Sequence, residues 1–181
     1  ILAKMYYKEK NWEELKRCQK QILEETEIYH VEYYMKKNIE YMLGTEKEKQ
    51  YFNLTEEANK FVEKKDYEKA ADYLTKALAQ AKDDNARVAI NASIGQCWFY
   101  KAQERVAAVK GVLSPAARAQ FNEVYNKAIS YLETAKKLDV MKEQKSAWAY
   151  PLYGCYYFVK GPQAPETLNC LLYTSPSPRD R

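Results

Sequence analysis

The chain predicts an all-α fold, and three observations carry that prediction. Only 5 Gly and 6 Pro occur in 181 residues, while 29 basic and 25 acidic residues alternate in sign along most of the length. That is the composition of solvated helix faces. From Tyr67 the apolar residues Ala70, Ala71, Leu74, Ala77 and Leu78 follow at i+3, i+4, i+7, i+10 and i+11, which is one buried helical stripe. Finally, the phrase from Asp66 to Leu78 is echoed from Val124 to Ala135, with Tyr, Lys, Ala, Tyr, Leu and Ala in the same order. Internal repetition of this kind points to stacked helical hairpins whose work is binding.

In chain order, Met5 to Glu25 carries the faintest copy, with Asn11-Trp12-Glu13-Glu14-Leu15 running on to Ile22-Leu23. Ile28 to Leu43 is helical in pattern and reads as one additional helix. Gly44 then stops it, and Thr45 with Glu48 forms a capping box that starts the next. Asp66 opens the helix of the first strong copy. An uninterrupted pattern runs from about Ala86 to Lys110, with Gly111 as stop, Ser114 as N-cap and Pro115 at the first helical position of a helix reaching Leu138. Ala147 to Lys160 is a strongly aromatic helix in which Pro151 kinks the first turns or marks the start. Small Ala residues on the repeated stripe admit close helix approach, while Tyr and Leu fill the gaps beside them.

With these residues in place, the chain resembles the tetratricopeptide repeat family. That family's second helix opens with Gly-Asp-Tyr and continues through Ala, a large apolar residue and Ala. Asp66-Tyr67, Ala70, Leu74 and Ala77 fit. Leu54, Ala58 and Phe61 occupy the family's first-helix positions, as do Val88, Ala92 and Gly95 one 34-residue step later. The likeness is good from Tyr51 to Leu138, and it implies antiparallel helical hairpins stacked as a right-handed superhelix. The copies at Trp12, Tyr67 and Tyr125 stand 55 and 58 residues apart, wider than the family period. A hairpin extended over about 86–138, projecting by ~16 Å, accounts for the second interval. The resemblance implies a concave groove for a protein or peptide, lined by Phe52, Thr55, Asn59, Val62 and Glu63 from one repeat and by Ala89, Ser93 and Gln96 from the next. Of the clamp with which some relatives grip a peptide carboxylate, only Asn59 matches, because Thr55 stands where Lys is expected.

Catalytic chemistry lacks its usual parts. There is no phosphate loop, no G-x-S-x-G elbow and no H-E-x-x-H, and the adjacent pairs Glu13-Glu14, Glu24-Glu25 and Glu56-Glu57 point to different helix faces. The single histidine, His30, has no His or Cys near it in sequence, and Cys18, Cys97, Cys155 and Cys170 show no metal-ligand or disulfide spacing. Neither an enzyme, a cofactor nor a metal is expected. The net charge of +4 is dispersed, without the basic cluster of a nucleic-acid binder, and no apolar stretch reaches the ~18 residues of a membrane span. The expected function is therefore a non-catalytic scaffold for a protein or peptide. One alternative is a glycan-associated envelope protein, which requires Trp148, Tyr153 and Tyr156 exposed and coplanar on one ledge; another is an accessory module of an enzyme. The 17 tyrosines suit either helix packing or an aromatic groove.

From Cys170 the composition turns Ser/Pro-rich. The stretch Cys170 to Asp180 resembles, residue for residue, a translated sequencing-library adapter, as expected of a bacterial metagenomic fragment. The expected organisation is a helical domain over 1–169, truncated at both ends, followed by a non-native disordered tail over 170–181. No compartment is assigned. On this reading the partner of the aromatic helix is missing, leaving an apolar patch at Tyr156 and Phe158 for self-association.

Overall fold

The computed structural model describes residues 44–174 together with Glu13, Glu14, Arg17 and Tyr41. The expected helices over Met5 to Glu25 and Ile28 to Leu43, and His30 and Cys18, lie outside the described residues. Six α-helices are described: α1 (Glu46–Glu63), α2 (Tyr67–Leu78), α3 (Asp84–Ala107), α4 (Pro115–Leu138), α5 (Lys145–Lys160) and α6 (Pro165–Thr174). Among these residues no helix is long and apolar enough to cross a membrane. The chain divides into two compact units, residues 1–52 and 53–181.

In the first unit, the Thr45 capping box forms as the sequence requires. The Glu48 amide donates to Thr45 Oγ1 at 3.3 Å, and the Thr45 amide donates back to Glu48 Oε2 at 2.8 Å. Tyr41 and Phe52 meet at 5.2 Å between ring centroids.

In the second unit the starts of α2, α3 and α4 are set by local caps. Asp66, Asp83 and Ser114 accept from the amides of Lys69, Ala86 and Ala117, and Pro115 stands at the first position of α4. Gly111 takes φ +94°, so the chain leaves α3 in a conformation that side-chain-bearing residues avoid. Along α2 the stripe Ala70, Ala71, Leu74 and Ala77 is buried, and α2 packs on α3. Helix α3 packs in turn on α4 and α5. One core joins Val88, Ala92 and Phe99 of α3, Tyr125, Ala128 and Leu132 of α4, and Trp148, Leu152 and Cys155 of α5. The α3–α4 approach is close because Gly95 has no side chain: a Cβ there would stand 2.5 Å from Leu132 Cγ.

The corner from α4 to α5 is tied by Asp139, which is buried. Its carboxylate accepts from Trp148 Nε1 at 2.8 Å and from the Gln144 amide at 3.2 Å, so the indole is both buried and satisfied. Lys142, with φ +58°, donates from Nζ to the Lys136 carbonyl at 2.8 Å.

Two expectations are corrected at the end of the chain. Helix α5 does have a partner, since Gly161 (φ +92°) turns the backbone and Pro165 begins α6, which packs back on α5. Residues 170–174 are the last turn of α6 and not a disordered tail: Cys170 is fully buried, and Tyr173 meets Trp148 at 5.3 Å. Within the run Cys-Leu-Leu-Tyr it is Cys170 and Tyr173 that pack on the core, while Leu171 and Leu172 are exposed. Tyr156 is accordingly buried and donates to Glu133 Oε1 at 3.1 Å, which removes the proposed self-association patch. The adapter resemblance concerns the coding DNA, which geometry does not touch, and residues 175–181 lie outside the described residues.

Two outcomes test this core. Gly95→Ala and Ala128→Leu each force atoms into occupied space and lower unfolding stability by about 1–3 kcal/mol in urea titrations. Burial pushes Tyr125 up to about 12 from 10.0 and Cys97 up to about 11 from 9.0. The native state therefore keeps protons that the unfolded chain has released, and stability is whole below pH 9.0 and falls as pH rises towards 12. Tyr125→Phe flattens that fall by up to about 1.4 kcal/mol per pH unit above pH ~10.

Candidate functional site

An open cleft of about 420 Å³ lies where α3, α4 and α5 meet. Helix α3 contributes Phe99 and Gln103, α4 contributes Tyr125, and α5 contributes Tyr150, Tyr153, Gly154, Tyr157 and Phe158. Tyr150 and Tyr157 are 60% and 50% exposed, whereas Phe99 and Tyr125 are buried and form the floor. The α5 residues recur at three- and four-residue spacing, so one face of that helix supplies the aromatic wall.

The rings meet at steep angles. Phe99 and Tyr150 are edge-to-face at 87° and 6.3 Å, Phe99 and Tyr125 are inclined at 60°, and Tyr153 and Tyr157 at 49°. Phe158 lies 4.5 Å from Tyr125, and Arg118 covers it from outside, its guanidinium 5.4 Å from the ring and donating to the Phe158 carbonyl at 3.2 Å. The result is an open cleft with inclined aromatic walls rather than a coplanar ledge. Gly154 sets its depth, because a Cβ there would stand 2.6 Å from Phe99 Cε2.

The helix that carries most of the cleft lining, α5, is held by an interaction that the sequence hides. Pro151 lies inside α5, one and a half turns beyond its start, and has no amide to donate to the Ala147 carbonyl four residues back. Gln96 Nε2 of α3 donates to that carbonyl at 2.6 Å. The proline is thus tolerated because a neighbouring helix supplies the lost hydrogen bond. Sequence reasoning took Pro151 as a kink or a boundary, since nothing local could satisfy Ala147.

None of the eight expected groove residues lines this cleft. Phe52 belongs to the 1–52 unit. On α1, Thr55 is half-buried, and Asn59, Val62 and Glu63 are exposed. On α3, Ala89, Ser93 and Gln96 are half-buried; Ser93 Oγ donates to the Ala89 carbonyl at 2.9 Å and Gln96 is committed to Ala147. The same row continues along α3 through Tyr100 to Gln103, seven residues after Gln96, where the cleft lies. The expected face of α3 therefore reaches the site two turns later than the resemblance placed it. The signal that could have found it is the run Tyr150, Tyr153 and Tyr157 at three- and four-residue spacing, of which the expected ledge includes only Tyr153. Trp148 and Tyr156, two of the three residues required for that ledge, are buried.

A second crevice, of about 280 Å³, lies beside the start of α2. Lys65 pairs with Glu104 at 3.4 Å and Lys101 pairs with Glu68, so its charges neutralise one another. The aromatic cleft is the stronger candidate because its wall carries exposed rings and no such internally paired charges.

The Gln96 contact has a measurable signature. Gln96→Leu is expected to cost about 1–3 kcal/mol by leaving the part-buried Ala147 carbonyl unpaired. In a Pro151→Ala background, where an amide is restored to bond Ala147, the same substitution costs less than half as much. Equal costs in both backgrounds, measured in a double-mutant cycle, would show that the contact does not compensate the proline. Compared with family models, curated proteins and solved structures, the chain matches none.

Proposed function

We propose that the chain is a non-catalytic scaffold of tetratricopeptide-like helical hairpins that binds a segment of a partner protein in the aromatic cleft between α3 and α5. The observation that carries this reading is the cleft itself. It is open, walled by aromatic rings on three helices, and shaped by core contacts, so binding orders few groups and costs little entropy. Its lining groups are phenyl rings, phenols and one carboxamide, a set suited to contact. Tyr and Phe in such a position are the residues that dominate recognition energies.

Two features support the repeat-like part of the reading. Helix α3 packs on its neighbour α4 and also on α5, the contact order of stacked hairpins. Lys65 stands where the family carries the glycine before Asp-Tyr, and it takes φ +59°, the left-handed region that glycine favours. The glycan alternative loses its ledge with the burial of Trp148 and Tyr156.

Peptides selected from a random library against the intact chain test the function. Tyr150→Ala and Tyr157→Ala are expected to weaken selected peptides about tenfold each while leaving the melting temperature unchanged, since both rings are largely exposed. Peptides that bind the variants and the parent equally would remove the cleft from the function. The register has its own test: Lys65→Gly is expected to raise stability by about 0.5–1 kcal/mol by relieving the left-handed backbone.

A further inference from the structure

Across the described residues, aromatic faces are widely covered by the chain's own cations. Lysines stand over Phe61, Tyr73, Trp98, Trp148, Tyr156 and Tyr173 at 3.7 to 5.9 Å from the ring centroids. Arg118 does the same for Phe158 at one rim of the cleft. Phe99, Tyr150, Tyr153 and Tyr157 line the rest of the cleft, and no side-chain cation of the described residues stands over them. Their rings are inclined to one another along one open cleft, in which Tyr150 and Tyr157 are the exposed rings.

We propose that this cleft binds a quaternary ammonium group. The choice among cations follows from what the wall lacks. No carboxylate lines it, and the acceptors it offers are phenol oxygens and the Gln103 carboxamide. A primary ammonium brings three N–H donors and a guanidinium five, and each must lose water and find an acceptor on entering. A quaternary ammonium has no donor, is weakly hydrated, and gains from every ring face that its methyl groups touch. Arg118 is held on the Phe158 carbonyl and covers the Phe158 ring alone.

The inference rests on the reading of the cleft as the binding site and names the chemistry that it selects. Two carriers share that chemistry: a free choline-type molecule and a trimethylated lysine in a bound peptide. Calorimetric titration of the intact chain with choline, and with the neutral alcohol in which carbon replaces the nitrogen, separates charge from shape. Choline is expected to bind roughly tenfold more tightly than the alcohol, Tyr150→Ala to abolish the difference, and Tyr150→Phe to retain it. A short peptide bearing trimethyllysine that outbinds choline identifies the carrier as a peptide; one that does not identifies a free molecule, and either result supports the site. Equal binding of choline and the alcohol, or binding of neither, overturns the inference. The proposed function is judged separately, by whether library-selected peptides depend on Tyr150 and Tyr157.

Discussion

The seating of Phe99 against Gly154 is the contact on which the rest of the arrangement depends. The ring occupies the space that a side chain on α5 would fill, since a Cβ at Gly154 would stand 2.6 Å from Phe99 Cε2. This brings α3 and α5 together, and their separation in turn decides where Tyr150, Tyr153 and Tyr157 stand. A buried aromatic gains stability in proportion to the apolar area it loses from water, so this one contact contributes both to the core and to the shape of the site. Phe99 also touches Tyr125 and Tyr150, which links the buried floor of the cleft to its exposed wall.

Two polar contacts make that packing possible. Gln96 restores the hydrogen bond that Pro151 removes, and Asp139 satisfies the buried indole of Trp148 while capping the corner into α5. Each answers the same physical demand, that a buried donor or acceptor left alone costs more than a formed pair gains. Both fix α5, one from α3 and the other from the end of α4. Consequently the helix that carries most of the cleft is held from two sides, and an aromatic wall can stand partly in water without collapsing onto the core.

Much of the architecture was legible locally. The capping box at Thr45, the starts at Asp66 and Ser114-Pro115, the stop at Gly111 and the end at Leu138 were read from residue types, because a cap is a hydrogen bond between neighbours in sequence. Helix α3 begins at Asp84, slightly before the bound taken from periodicity, because the Asp83 side chain captures the Ala86 amide, and it ends at Ala107, three residues short of Lys110, where the Ala108 amide bonds back to Glu104 and Val106. Helix α6 was missed altogether. Only its last residues, from Cys170, fall in the expected tail, while Pro165 to Asn169 lie in the expected domain without a helix of their own, and packing on α5 shows both Thr167 and Cys170 to be core.

The amino-acid sequence by itself determined the helical class, the repeated Tyr-Ala-Leu stripe and the capped helix starts at Thr45, Asp66 and Ser114, since each depends on interactions within a few residues. Tertiary structure alone decided that Pro151 stays inside a helix, that Trp148 and Tyr156 are buried while Tyr150 and Tyr157 are exposed, and that Phe99 meets residues about fifty positions away. An aromatic side chain has the same periodic signature whether it faces a core or a cleft. Which it faces is set by the helix that packs opposite, and that choice is made by Gly154, Phe99 and Gln96 together rather than by any one segment.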